Sequence, residues 1–350
     1  MKKTNFVLLA VALGFLLFHH PPAALSASGF YEGKTMTFIV SFPPGGGYDI
    51  YARLLARHLP KYIPGKPGVL VQNMPGAGGV IASNYVAKVA KPDGLTLGVL
   101  PRDLYLAQIA GRDELKADFT KMHPVGSLTS DIMTVYMRTD TPYTSIAAIQ
   151  TALKEGKKPP PVGASGIGGG GYIIERVAEE IVGMKLFDIV TGYPGGPQID
   201  LAVRKGELLG AGRSLASARD RVGDLLKAGK VTIIVQTGTA ERKRSPQLPD
   251  VPTLWELAHT EDGKALAASY FPSTIAGRPF WLPAGVPSDR VKVLRSAFDK
   301  AAADPKLRAE AKKSRRPIGP LSGDEMVGLY REGFRVTPGT RALWKKLMGK

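Results

Sequence analysis

The sequence contains no cysteine. That absence removes a disulfide framework, a thiolate metal site and a cysteine nucleophile together. It also removes a lipid-modified leader. Histidine is scarce, with five in the chain. His19 and His20 fall in the leader described below. His58, His123 and His259 are scattered, and a solvated or packing role is the simpler reading of each. No Walker A, G-x-S-x-G or H-E-x-x-H pattern occurs. No catalytic residue, cofactor or metal site is therefore expected. Nucleic acid is equally unsupported. The formal charge is +17, but there is no basic run with interleaved aromatics and no zinc spacing. Arg242-Lys243-Arg244 and Lys312-Lys313-Ser314-Arg315-Arg316 read as solvated faces whose field helps steer an anion.

The first residues read as an address. Lys2 and Lys3 form a positive region, Phe6 to Phe18 an apolar one, and Pro21 to Ser28 a region of small residues. This is the pattern of a secretory signal peptide over residues 1–26. Ala24 and Ser26 suit cleavage after Ser26, with Ser28 as second choice. The apolar run is shorter than the roughly 20 residues of a spanning helix. An exported protein of this length needs no disulfides if its core is large enough. Composition is ordinary for a globular protein, at 44% hydrophobic and 22% charged. The roughly 320 residues beyond the leader favour two lobes over one.

The stretch from Thr37 to Arg53 organises the rest. Thr37-Phe38-Ile39-Val40 reads as a short buried strand. Pro43-Pro44-Gly45-Gly46-Gly47 cannot continue it and must be a loop. Asp49 is expected to cap the helical pattern that begins at Ile50. A glycine turn of this kind lets bare backbone approach a ligand, and the helix amino end behind it favours an anion. The rival reading is a tight turn with no ligand. The pattern repeats: Val69 to Asn73 is a strand, Met74-Pro75-Gly76-Ala77-Gly78-Gly79 a turn, and Val80 to Val89 a helix. Its apolar face is expected at Ile81, Tyr85, Val86 and Val89. Parallel neighbouring strands would set both turns at one carboxyl edge, where open α/β sheets bind ligands. Leu95 to Leu100 is a third strand, and Arg102 beyond it would share that edge. A guanidinium there can pair with a carboxylate; the plainer reading is a surface arginine.

Val125 to Met137 reads as strand and as a connection into a second lobe. Ser145 caps a helix at Ile146. Ser165-Gly166-Ile167-Gly168-Gly169-Gly170 follows the short strand at Val162, and a helix begins near Tyr172. Gly166, Gly168 and Gly171 match G-x-G-x-x-G, with Asp188 near the place of a ribose-binding acid. Asp188 sits inside a strand, however, and a third anion-binding turn explains the residues more simply. Strands at Phe187–Val190, Leu208–Ala211 and Val231–Val235, and a helix from Pro197 to Lys205, complete the second lobe. Gly212-Arg213-Ser214 closes the Leu208 strand, Pro279 to Pro287 is a strand and bend, and Ser288 caps a further helix. Alternating strands and helices predict an α/β fold with mostly parallel sheets flanked by helices.

Taken together, these residues resemble the extracytoplasmic solute-binding receptors of tripartite tricarboxylate transporters, the Bug family. The resemblance rests on Pro44-Gly45-Gly46 with Asp49 and Ala52-Arg53, on Asn73 to Gly79, and on Pro92-Asp93-Gly94-Leu95-Thr96-Leu97. Tyr193-Pro194-Gly195-Gly196, Val251-Pro252-Thr253-Leu254-Trp255-Glu256-Leu257 and Leu282-Pro283-Ala284-Gly285-Val286-Pro287 complete it. It covers nearly the whole chain after the leader. It implies a two-lobed, Venus-flytrap periplasmic binding protein of type II-like build. Lobe 1 would take residues 29–127, lobe 2 residues 128–255, and a return segment 256–350 would complete lobe 1. The implied ligand is a small organic acid held by backbone amides and delivered to membrane permease subunits; the receptor is expected to be a monomer. Carried over, the ligand contacts are Gly45, Gly46, Gly47, Tyr48 and Asp49, then Ala77, Gly78 and Gly79. From the second lobe they are Ser165, Gly168, Gly169, Gly170 and Tyr193. Arg102 and Arg213 are added from the residues themselves. There are departures: many members carry Asp where Leu209 stands, Tyr48 is bulky within the first loop, and Arg213 and Ser214 alter the polarity of the pocket. A sensor, or a binding protein of another importer, shares these features. An enzyme acting on a phosphorylated substrate through one glycine loop has less support.

Overall fold

The apolar runs bounded by glycine and proline become strands, and they assort into two sheets. A computed structural model describes residues 27–239 and 241–349; the expected signal peptide lies outside the described residues. Strands β1 (Thr35–Val40), β2 (Gly68–Asn73), β3 (Thr96–Val99) and β4 (His123–Ser127) belong to the first sheet. Strands β5 (Met133–Arg138), β6 (Pro161–Gly163), β7 (Asp188–Val190), β8 (Gly210–Ser214) and β9 (Val231–Gln236) make the second. Strands β10 (Pro279–Leu282) and β11 (Leu321–Ser322) return to the first. The orders are β11-β4-β10-β3-β1-β2 and β7-β6-β8-β5-β9.

Both sheets are mixed, which corrects the expectation of mostly parallel ones. Pairs β1–β2, β1–β3, β6–β7 and β6–β8 are parallel. Strand β10 runs antiparallel to both β3 and β4, and β5 to both β8 and β9. The reason is connectivity. Each parallel pair is joined through a helix, whereas β5 is the strand by which the chain enters the second sheet and β10 the one by which it re-enters the first. The single strand expected over Val125–Met137 is thus two, β4 and β5, in different sheets. Residues 128–132 carry the chain across.

Other local readings shift for physical reasons. The helix after the first glycine loop is Gly47–His58 with Gly46 as its cap residue, so Asp49 lies inside the first turn. Strand β8 starts at Gly210, which puts Arg213 and Ser214 in the strand and not in its closing turn. Ser288 is the first helical residue of Ser288–Ala303, behind Pro287. In the helix Val80–Lys88 the buried residues are Ala82, Ser83 and Val86, while Ile81 and Val89 are 50% and 65% exposed. The Ser145 cap is as expected, accepting from the Ala148 amide.

Helices at Leu104–Ile109, Glu261–Ile275, Gly323–Gly333 and Pro338–Leu347 are additions to the elements expected above. They matter to the architecture. Glu261–Ile275 packs against both Gly170–Val182 of the second lobe and Gly323–Gly333 beside the first sheet. Within this layer Trp344 is fully buried, and its Nε1 donates to Ser269 Oγ at 2.9 Å. One continuous hydrophobic cluster joins Ile39 and Trp281 to Val135 and Ile174. The return segment therefore packs against both lobes.

Candidate functional site

The first glycine loop shows how sequence makes the site. Prolines 43 and 44 end β1, because neither can donate to a ladder. Gly45 takes φ +76°. Gly46 caps the helix with no side-chain hydrogen bond, so the first amides of Gly47–His58 are left for another partner. Asp49 reaches back to brace the loop. Its Oδ2 accepts from Gly45 N at 2.8 Å, and its Oδ1 from Arg53 Nε and Asn73 Nδ2, both at 2.9 Å. Burial pushes its carboxyl up, but these three donors outweigh burial and hold it below its ordinary value.

Between the two sheets lies a cleft of about 80 Å³. Gly46, Gly47 and Tyr48 line it from the first loop, Arg102 from the end of β3, and Ser165 and Gly170 from the second-lobe loop. Arg213 lines it from β8, and Arg278 from the segment entering β10. The helices Gly47–His58, Gly170–Val182 and Gly196–Lys205 all present their amino ends here, through Gly47, Gly170 and Gly196. Three helix amino ends and three guanidinium groups converge on it, an arrangement that favours an anion.

Each arginine is held by its own partner. Arg278 Nη2 donates to Asp131 Oδ2 at 3.0 Å and to Ser214 Oγ at 2.9 Å. Its guanidinium stacks over the Tyr48 ring, 4.8 Å from the centroid. Arg213 Nη2 donates to Asp200 Oδ2 at 3.1 Å, and Asp200 Oδ1 accepts from Tyr136 Oη at 2.9 Å. Arg102 contacts Met133 Sδ, and its Nε lies 3.8 Å from Asp103 Oδ2. The Nε atoms of Arg102, Arg213 and Arg278 are buried and lack a protein acceptor, as are both carboxylate oxygens of Asp103 without a donor. Burial pushes the Asp103 carboxyl up, and the neighbouring Arg102 guanidinium pulls it back down. Buried donors without acceptors await one.

The expected contacts divide into two groups. Gly46, Gly47, Tyr48, Arg102, Ser165, Gly170 and Arg213 line the cleft. Gly45, Asp49, Ala77, Gly78, Gly79, Gly168, Gly169 and Tyr193 are not among its lining residues. Several of these instead join the lobes. A Cβ on Gly78 would lie 3.1 Å from Gly169 N and 3.2 Å from Ile167 O, and one on Gly168 would meet Leu104 at 3.3 Å. Gly45 O accepts from Arg221 Nη2. Gly79 packs on Pro101, and Tyr193 on the second lobe's own core. Leu209 is a packing residue of the large core.

Arg278, Asp103, Asp131 and Ser217 were not legible as site residues. Arg278 lies 147 residues from Asp131 and follows no glycine loop. Its one local mark is a Gly-Arg-Pro step before a strand.

The comparisons with known proteins bear on the fold and the family. A family model described as "Tripartite tricarboxylate transporter family receptor" matches residues 51–316. A Pseudomonas sp. strain P51 protein, from the tcbD-tcbE intergenic region, is 25% identical over 280 residues, 79% of this chain and 76% of that one. The solved periplasmic binding protein BugD is 23% identical, with a TM-score of 0.70 over 91% of this chain and 98% of its own. MatC of Rhodopseudomonas palustris, solved with bound malate, is 23% identical, with a TM-score of 0.69 over 90% of this chain and 99% of its own.

Proposed function

This chain belongs to the tripartite tricarboxylate transporter receptors, and from that premise we propose that it captures a small carboxylate between its lobes and presents it to permease subunits. The family is one of receptors and not of enzymes. What carries the reading is the convergence of Arg102, Arg213 and Arg278 with three helix amino ends on one cleft of about 80 Å³. An anion entering there meets buried N–H groups that lack a protein acceptor. In that low-dielectric setting each charge-assisted bond is stronger than in water.

The geometry gives each group a role in this reading. The Gly46-Gly47 backbone and the helix behind it hold one carboxylate. Arg213, seated by Asp200, and Arg278, seated by Asp131, address a second anionic group. Arg102, beside Asp103 at the end of β3, adds a third cation to the same wall. The loops at Gly78 and at Gly166–Gly169 meet across the lobes when the ligand is enclosed. Receptors of this kind are periplasmic. Among the described residues no helix is long and apolar enough to cross a membrane, and the expected leader would direct export. The receptor is proposed to act as a monomer, with the first sheet at the centre of one lobe and the second at the centre of the other.

The test is calorimetry of the purified protein against a panel of mono-, di- and tricarboxylates, followed by chemical analysis of the recovered ligand. A carboxylate should bind and be recovered unchanged. Turnover of the bound acid, or no binding by any member of the panel, would overturn the reading.

A further inference from the structure

A second cavity, far larger than the cleft, opens beside the connections between the lobes. Its volume is about 1470 Å³, above the roughly 300–1,000 Å³ of ordinary small-molecule pockets. None of its lining residues belongs to the cleft. Residues 128–132 leave the first sheet, and the segment 274–278 returns to it. The two are tied by Asp131 N donating to Thr274 O at 3.1 Å and Gly277 N to Thr129 O at 2.9 Å. Thr129, Asp131, Ile132, Thr274 and Ile275 all line the cavity.

Its walls are aliphatic: Leu215, Leu226, Ile233, Leu248, Ile275 and Ile318. Its charge is one-sided. Arg219, Lys227, Arg308, Lys312, Arg315 and Arg316 line it, against Asp131 and Asp220. Both acids are engaged, Asp131 by Arg278 at 3.0 Å and Asp220 by Arg316 at 2.6 Å. Among the described residues, Lys227, Lys312 and Arg315 have no acidic partner within ion-pair distance, while Arg316 is 7% exposed with a buried Nε that has no acceptor. The apolar wall and the surplus of cations ask for opposite chemistries in one occupant. A folded partner could cover the exposed cations but would leave the buried Arg316 out of reach. A slender chain with a compact anionic head satisfies both.

We propose that this cavity is a second binding site, for an amphiphilic carboxylate: one anionic head on an unbranched aliphatic chain. The head sits among Arg315, Arg316 and Lys312, and the chain lies along Leu215, Leu226 and Ile318. The occupant touches Leu215–Arg221 and β9 of the second lobe and Pro305–Lys313 of the first, so it biases closure by its unequal contact with the open and closed states. Asp131 provides the link, since it lines this cavity while holding Arg278 at the cleft. The coupling is reciprocal.

The experiment titrates decanoate into the purified protein by calorimetry, with decanol as the uncharged control. Saturable one-to-one binding of decanoate is expected, with none of decanol. The exposed rim variant Lys312→Glu/Arg315→Glu should weaken it by about tenfold; the wall variant Ile318→Asp, checked for folding by circular dichroism, should do the same. Decanoate should also change the affinity for the cleft carboxylate found in the panel. Absence of saturable binding, or binding unchanged in the rim variant, would overturn the proposal. So would binding lost in Gly47→Ala but kept in the rim variant, which would put decanoate in the cleft. Binding of an acidic amphipathic peptide in place of decanoate would assign the cavity to a protein partner instead.

Discussion

Gly166 and Gly78 meet backbone to backbone across the two lobes: a Cβ built on Gly166 would fall 2.8 Å from Gly78 N. Both hold positive φ, +154° and +65°, so a side chain at either is strained as well as crowded. The contact exists only when the lobes are together. Gly166→Ala should therefore weaken carboxylate binding by roughly tenfold, about 1.4 kcal/mol, and reduce the compaction that ligand induces in solution scattering. Gly223→Ala, where a Cβ meets open space, is the control and should change neither. Normal compaction in a folded Gly166→Ala protein would show that the loops need not meet.

The two glycines of the first loop are not equivalent. A Cβ on Gly47 would lie 2.9 Å from Arg278 Nη2 and 2.9 Å from Ser217 Oγ, whereas one on Gly46 finds its nearest neighbour, Pro43 O, at 3.5 Å. Gly46 is at φ −79°, so it carries none of the strain that a glycine-rich loop suggests. Gly47→Ala should lose affinity by about tenfold through displacement of Arg278, and Gly46→Ala should lose less. Calorimetry on the pair decides the order.

Asp49 braces the loop from inside the helix. Its folded pKa is lowered, so its stabilisation is present above the unfolded value and is lost as pH falls through the folded one. Asp49→Ala removes bonds to Gly45, Arg53 and Asn73 and should cost about 2 kcal/mol at neutral pH. The gap between wild type and variant should narrow in acid. Urea unfolding at several pH values measures it; a gap independent of pH would assign the cost to packing alone.

Glu175 behaves in the opposite sense. It is fully buried on the helix Gly170–Val182, its Oε1 accepts from Gly212 N at 2.7 Å, and its Oε2 has no partner. Burial pushes its carboxyl well above the ordinary value of 4.5. The folded state thus holds a proton that the unfolded state releases, and stability falls as pH rises across that window. Glu175→Gln keeps an oxygen for Gly212 and removes the titration. Its melting temperature should equal or exceed wild type at neutral pH, with a flatter decline above about pH 4.5. Glu179, raised by burial in the same way, remains in both proteins.

Much of this was legible in the sequence because the signals are local. The strand-glycine-helix units at Phe38 to Leu54 and Val71 to Val86 announce themselves by period and punctuation, and so does the turn at Ser165 to Gly170. Asp49 misleads because a carboxylate three residues into a helix and one at its cap look alike in sequence. The helix Glu261–Ile275 is hidden because it is apolar on more than one side and contains Pro272. The antiparallel direction of β10 could not be read locally, since a return from a distant lobe leaves no mark in the sequence. The same holds for Arg278, whose place in the cleft depends on contacts more than 60 residues away.

Arg278 and Asp131 offer the sharpest separation of stability from binding. Both are buried, and their ion pair spans the connections between the lobes. Arg278→Met leaves the Asp131 carboxylate without its cation, which should cost about 3–5 kcal/mol. Adding Asp131→Asn removes that stranded charge and should return much of the stability. Affinity for the carboxylate should stay low in the double variant, because the guanidinium that faces the cleft is still missing. Urea unfolding and calorimetry on both single variants and the double one complete the cycle. If affinity recovered together with stability, Arg278 would be acting through the fold and not through the ligand.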